Sequence, residues 1–393
     1  MALMRNMKKI GIIAILLFIL LAIAFGIFVS LKTKTPDTLS GKALLAAELA
    51  GNYLVRHQHE DGHFDYVYSP ETGEVSDAYN MLRHAGTTFA LLQLFGVTED
   101  EKYLQAGESG LSYIFDKTSV CPTNSSNTLC MYDGEKAKIG GNALAILAIV
   151  EHVRATGETK NIETAKKLGE WIVDSQNEFG EYTPHIIYRN QKVSDHVSEY
   201  YPGEAIFALM KLHEITGDDK WLNSARRAID WLIFVRDKDK TIEDIIHDHW
   251  LLYGLSEFVK YEKESAYIEH AKKIVDAIIS EQNIEDVPKA WVGGFKQPPQ
   301  TTSSATRGEG LGSAYEIFSV VGDSEYKEKT LDSLEKVVTF ELYQFIDGPR
   351  ARTYKEPMQA LGGFNESFEE SEIRIDNVQH NISSLLGYYK IKK

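Results

Sequence analysis

Only two cysteines, Cys121 and Cys130, occur in the 393 residues. So few cannot build a disulfide scaffold, and no second Cys or His pair accompanies them to complete a zinc site. Basic charge is also short. The chain has 42 Lys and Arg against 57 Asp and Glu, a formal net charge of −15, which argues against a general nucleic-acid binder. After Gly41 no low-complexity linker interrupts the sequence, so there is no boundary at which to divide it into two domains.

One uncharged apolar run, residues 10–31, has about the length that spans a bilayer. Arg5, Lys8 and Lys9 precede it, which places the amino terminus in the cytoplasm. The apolar core of a cleaved signal peptide is usually only ~7–15 residues, and no Cys follows closely enough to carry a lipid. The expectation is a single-pass anchor in the cytoplasmic membrane. Residues 1–9 would be cytoplasmic, 10–31 would contact the lipid bilayer, 32–40 would form a polar stalk and 41–393 an extracytoplasmic domain. In that oxidising setting Cys121 and Cys130, which bracket a polar loop, are expected to pair as a disulfide, the alternative being two free thiols.

What the sequence has is a motif that returns five times. A turn carrying Gly or Asp leads into an amphipathic helix, usually through a Tyr or Trp. Examples are Thr98-Glu-Asp-Glu-Lys-Tyr103, Thr216-Gly-Asp-Asp-Lys-Trp221 and Val321-Gly-Asp-Ser-Glu-Tyr326. Copies lie roughly 50–60 residues apart, the range of repeat architectures. A second apolar helix precedes each turn, as in 143–150 and 205–212. The unit is therefore a helical hairpin. With 43–56 as the first outer helix and 378–389 as the last inner one, six hairpins result, enough to close into a ring with very little strand. Outer helices end in a recurring segment, Gln58-His-Glu-Asp-Gly-His-Phe64 and Gln176-Asn-Glu-Phe-Gly-Glu-Tyr182, in which Gly accepts positive φ.

The inner helices should begin near Tyr79, Lys138, Glu199, His247, Ser303 and Asp376, the most polar parts of apolar segments. In a closed ring these starts meet at one face. Asp376 and His380 lie four apart and share a helix face. Arg83 and His84 open one inner helix, and Arg307 and Glu309 sit among glycines in another. His247-Asp248-His249 invites a metal reading, but residues two apart on a helix point to different sides, so no metal and no other cofactor is expected.

The hairpins, with inner-helix glycines Gly86, Gly141, Gly203 and Gly310, resemble the α/α-toroid carbohydrate enzymes, the six-hairpin glycosidase superfamily. That group includes unsaturated glucuronyl hydrolases and N-acylglucosamine 2-epimerases. The Gln58–Phe64 turn is also similar to turns of terpenoid-cyclase and prenyltransferase repeats. The resemblance implies an all-α toroid with its site at the inner-helix starts. The epimerases use an Arg on an early inner helix and His residues on late ones, which Arg83, His249 and His380 match in hairpin order. The hydrolases use acidic residues, for which Asp248, Glu309 and Asp376 are candidates.

The expected substrate-binding residues are Arg83, His84, Glu204, Arg307, Arg374, Tyr200 and Trp250. Their positive charges, added to helix amino termini, favour an anionic sugar. The expected function is a glycoside hydrolase acting on a uronic-acid-containing surface polysaccharide. A sugar epimerase, a polysaccharide lyase and a non-catalytic glycan-binding toroid are the alternatives.

Overall fold

The computed structural model describes residues 36–123 and 128–393. The expected anchor at residues 10–31 lies outside the described residues. Among the described residues, no helix is long and apolar enough to cross a membrane. Residues 43–393 form one compact unit.

Among the described residues, twelve long helices alternate between an outer and an inner position. The outer ones are α1 (Leu39–Arg56), α3 (Glu101–Asp116), α5 (Ile162–Asp174), α7 (Asp219–Trp231), α9 (Ser265–Ser280) and α11 (Ser324–Gln344). The inner ones are α2 (Met81–Thr98), α4 (Ile139–Thr156), α6 (Tyr201–Thr216), α8 (His249–Phe258), α10 (Thr301–Val321) and α12 (Ile375–Lys392). Each inner helix packs on the next, and α12 packs back on α2, so the ring closes. The inner helices start within two residues of the expected positions. The fold is an α/α toroid.

The repeated turn explains the alternation. Four of the inner helices end on a left-handed residue, Glu99, Gly157, Gly217 or Gly322. At three of these turns the Asp that follows caps the outer helix: Asp100, Asp218 and Asp323 accept from the backbone N–H of Lys102, Lys220 and Tyr326. The aromatic that follows reaches the preceding outer helix. The hydroxyl of Tyr103 donates to the Glu48 carbonyl at 2.7 Å, and that of Tyr326 to Asp276 at 2.9 Å.

At the other end of the outer helices, a Gln amide ties one outer helix to the next. Gln58 Nε2 donates to the carbonyls of Gly62 and Ala106, Gln176 to those of Gly180 and Ser224, and Gln282 to those of Gly293 and Ser333. Gly62, Gly180 and Gly293 have φ near +90 to +100, and a Cβ on any of them would overlap a backbone carbonyl of the next outer helix. Gly362 repeats this geometry against Leu49 of α1 and closes the outer ring.

The core lies between the two rings. Helix α4, apolar on all sides, is buried from Ile139 to Val153. Two small sheets cover the face where the inner helices begin. One has the order β2 (Glu74–Val75), β1 (Val67–Ser69), β7 (Ile373–Arg374); the other runs β3 (Thr118–Val120), β4 (Leu129–Asp133), β5 (Lys136–Lys138), β6 (Ile186–Tyr188). A disulfide joins Cys121 to Cys130, and Ser119 pairs with Cys130 between β3 and β4. Removing that cross-link by Cys121→Ser should cost about 2–3 kcal/mol of hairpin stability, read as faster proteolytic cleavage between β3 and β4.

Candidate active site

Two elements far apart in sequence build one wall of the mouth. Asn80 Oδ1 caps α2 by accepting from the N–H groups of Leu82 and Arg83, which fixes Arg83 in the first turn. Pairing of β1 with β7 sets Val67 opposite Arg374, so Arg374 enters α12 beside Asp376. Arg83 Nε donates to Asp376 Oδ2 at 2.7 Å, and Arg374 Nε to Oδ1 at 2.5 Å. Arg83 also donates to the Tyr66 hydroxyl. Burial pushes the Asp376 pKa up, but the Arg374 hydrogen bond and the two guanidinium charges outweigh it and leave the pKa lowered. Asp376 therefore stays ionised. This runs against the acid role expected from sequence, because two cations hold its charge.

The floor is a buried triad from three inner helices. His380 Nδ1 lies 2.8 Å from Glu309 Oε2, and His249 Nε2 lies 3.7 Å from the same oxygen. The His249 and His380 rings are 5.6 Å apart and nearly perpendicular, at 78°. Burial raises the Glu309 pKa, opposed by the charge and hydrogen bond of His380. Burial lowers the His380 pKa, but Glu309 more than reverses this and leaves it raised. His249 is pushed well below its usual value by burial and by the charges of His380 and Arg307. The surroundings thus favour the neutral form of His249 and the protonated form of His380. Neither ring nitrogen of His249 has a protein hydrogen-bond partner, although both are buried, so both can be met by a water or by a ligand. Ligand atoms of His249, Glu309 and His380 lie within 4.8 Å of one another and could hold a metal ion, as could those of Glu108, His152 and Glu158.

Tyr200, 41% exposed, lies 6.0 Å from His249 ring to ring, and Trp250 packs beside both histidines. Arg307 stands over Phe295 and donates to the Ser303 carbonyl, with Glu281 at 3.8 Å. The expected positive mouth is thus mostly neutralised by its own carboxylates: Asp376 takes Arg83 and Arg374, and Glu366 lies 3.5 Å from Arg374.

Three candidates belong to the packing instead. His84 is fully buried, with Nε2 on the Gly110 carbonyl and Nδ1 on the Tyr79 hydroxyl, and burial lowers its pKa to about 4. It cannot reach a substrate. Asp248 is buried at 0% exposure, caps α8 through Leu251 and faces Arg236 at 3.8 Å. Burial lifts its pKa to about 7. Glu204, buried against Gly140 and Tyr201, rises to about 8 through burial and the charge of Asp248.

The Glu204 carboxyl binds its proton more tightly in the folded chain than in the unfolded one. Its stabilisation is full below the unfolded value of 4.5 and is lost as pH rises through about 8. Relative to the wild type, Glu204→Gln should therefore gain about 1.4 kcal/mol per pH unit across that window. Urea titrations at pH 5 and pH 8 measure this, and equal shifts at both pH values would refute it.

Three residues escaped the sequence reading as site residues: Tyr66, which meets Arg83, and Tyr253 and Ser383, which line a cavity together with Glu309. Spacing could have found two of them, since Ser383 is one turn beyond His380 and Tyr253 one turn beyond His249 on the same helix faces.

The model of the β-L-arabinofuranosidase GH127 catalytic domain matches residues 143–282. No curated protein matches the chain in sequence. Among solved structures, cellobiose 2-epimerase from Bacillus thermoamylovorans superposes with a TM-score of 0.70 at 14% identity, covering 91% of this chain and 100% of its own. A D-mannose isomerase gives 0.63 at 15% identity over 91% and 100%. A GH76 α-mannanase from Bacteroides thetaiotaomicron gives 0.62 at 10% over 89% and 96%. At these identities the likeness is one of fold: all are six-hairpin glycosidase-like toroids.

Proposed function

We propose that this protein is a carbohydrate-active enzyme that moves a proton beside the carbonyl of a reducing sugar, an aldose–ketose isomerase. The observation that carries the reading is the His249–Glu309–His380 triad. Neutral His249 takes the proton from C2 of the open-chain sugar. The enediol oxygen that gains charge is met by the exposed edge of Arg83. His380, whose pKa Glu309 raises, protonates that oxygen at C1; it then takes the proton of the C2 hydroxyl as the C2 carbonyl forms, while His249 returns its proton to C1. General acid–base steps of this kind are typically worth about 100–10,000-fold.

Ring centroids 5.6 Å apart leave no room for a sugar between the histidines. Both therefore address the substrate from one side. Removal at C2 and return at C1 on one face is isomerisation, whereas 2-epimerisation needs access to both faces.

A glycoside hydrolase is the second reading. It is favoured by the GH127 match and by Glu309, whose raised pKa suits a general acid. Incubation with aldoses in deuterated water separates the two. The isomerase yields a ketose carrying carbon-bound deuterium, whereas a hydrolase releases new reducing ends from an oligosaccharide and labels no carbon. Comparing glucose with glucuronate tests the acidic-sugar preference. The apolar run at 10–31 supports placing this activity outside the cytoplasmic membrane, and extraction of membranes at alkaline pH tests the anchor.

The pH dependence follows from the two histidines. His380 must keep its proton, so activity falls as pH rises through its raised pKa. His249 must be neutral, so the acid limb lies well below its usual value of 6.5. The expected profile of kcat/KM is a plateau running from acid pH to above 6.5. Activity that rises continuously with alkali would contradict it.

A further inference from the structure

His249, Glu309 and His380 stand one each on α8, α10 and α12, and one ligand atom of each lies within 4.8 Å of the other two. Close packing makes this convergence possible. A Cβ on Gly310 would come 3.2 Å from the Cβ of His249, so the glycine beside Glu309 lets α8 close on α10. Trp250 packs against both imidazoles and limits their rotation. Glu309 and His249 are 3% and 4% exposed, and both ring nitrogens of His249 are buried without a protein partner. His247 and His249, the pair that sequence spacing offers, do not share a ligand: His247 Nδ1 faces Glu281 at 3.7 Å. The second histidine comes instead from another helix.

We propose that this triad is a binding site for a zinc-class divalent cation, and that the bound cation shuts the enzyme off. The inhibition rests on the isomerase reading; the binding does not. Two imidazoles and one carboxylate are the donor set of zinc rather than of magnesium or calcium, which take oxygen. Bonds of about 2.0–2.2 Å in a tetrahedron put neighbouring donors about 3.3–3.6 Å apart. The distances to Glu309 Oε2, 2.8 Å from His380 Nδ1 and 3.7 Å from His249 Nε2, straddle that range, so small side-chain rotations seat the cation. Three protein donors leave the fourth position to water. The cation takes the place of the hydrogen between His380 and Glu309, and that proton leaves to solvent. An imidazole bound to a metal through one nitrogen carries its hydrogen on the other. With Nε2 on the cation, His249 has no lone pair left to take the proton from C2, and turnover stops.

The test uses the full chain, stripped with a chelator, labelled with 15N-histidine and titrated with zinc chloride against a chromophoric chelator. The ring-nitrogen signals of His249 and His380 should shift together as the tightest zinc binds. Isomerisation should fall in proportion and return when EDTA is added. His249→Phe keeps a ring in place and Glu309→Gln keeps the shape of the carboxyl. Each removes a donor from a different helix, so one misfolded variant does not end the experiment. Each should weaken zinc binding by about 100-fold or more, since losing even an outer partner of a ligand costs about 10–100-fold. Glu158→Gln, which dismantles the other cluster able to hold a metal, should leave the affinity unchanged. Tight binding that survives both triad substitutions, or that is lost with Glu158→Gln, overturns the site. Zinc that binds the triad and raises turnover overturns the inhibition. Triad binding in a protein that labels no sugar leaves the site standing and removes the isomerase reading; normal labelling with no zinc at the histidines does the opposite.

Discussion

Replacing His380 with Asn should reduce turnover by about 100–10,000-fold, the range one positioned acid–base group supplies. Asn keeps a nitrogen near the place of Nδ1 and can still donate to Glu309, so the floor should remain packed. What it loses is the ability to carry a proton. His249→Asn should cost a similar factor, and the double variant little more than either alone, because residues that act as one unit are not additive. KM should change little in both if the loss lies in the chemical step. Deuterium incorporation into the sugar should fall in parallel with turnover. If His380→Asn instead leaves activity within about tenfold while Glu309→Gln abolishes it, the carboxyl is the working acid and the hydrolase reading replaces the isomerase.

The second large effect is structural. Gly180→Ala should destabilise the toroid by about 2–5 kcal/mol, combining a left-handed penalty of about 1–2 with overpacking of about 1–3. At φ +100 a side chain is strained, and its Cβ would overlap the Arg227 carbonyl. That carbonyl is backbone within α7, so it cannot swing aside. Gly157→Ala is the comparison. Its φ of +76 is also left-handed, but a Cβ there meets open space, so only the penalty of about 1–2 kcal/mol applies. The difference in urea midpoints between the two variants isolates the contact. Equal destabilisation would mean that the outer helices do not rest on these glycines.

The hairpins were legible because each is signed locally. A left-handed residue and a capping Asp fall within three residues of each other at Gly217–Asp218 and Gly322–Asp323. The Gln58 and Gln176 segments announced the ends of outer helices in the same way. The sheets left no such sign: Val67 pairs with Arg374 across most of the chain, in strands of two or three residues. Polar residues at inner-helix starts were legible as a class, but their direction was not. His84 follows Arg83 directly, yet one turns to the Gly110 carbonyl and the other to Asp376. Asp248 and Asp376 read alike in sequence. The first meets a backbone N–H deep in the packing, and the second meets two guanidiniums brought by other elements. The rotation of each helix about its axis decides these outcomes, and it is set by neighbours remote in sequence.

The contact of Gly362 with the Leu49 carbonyl, and of α12 with α2, joins elements made late to elements made much earlier. During synthesis, at roughly 5–20 residues per second, α1 and α2 emerge well before these partners and wait for them. Until then the apolar flank of α2 that α12 will cover stays open. The barrier to folding should accordingly lie late, in joining distant segments. A transcript truncated before residue 375 would yield five hairpins able to form but no closed ring, and His380, the proton carrier of the floor, would be among the residues never delivered.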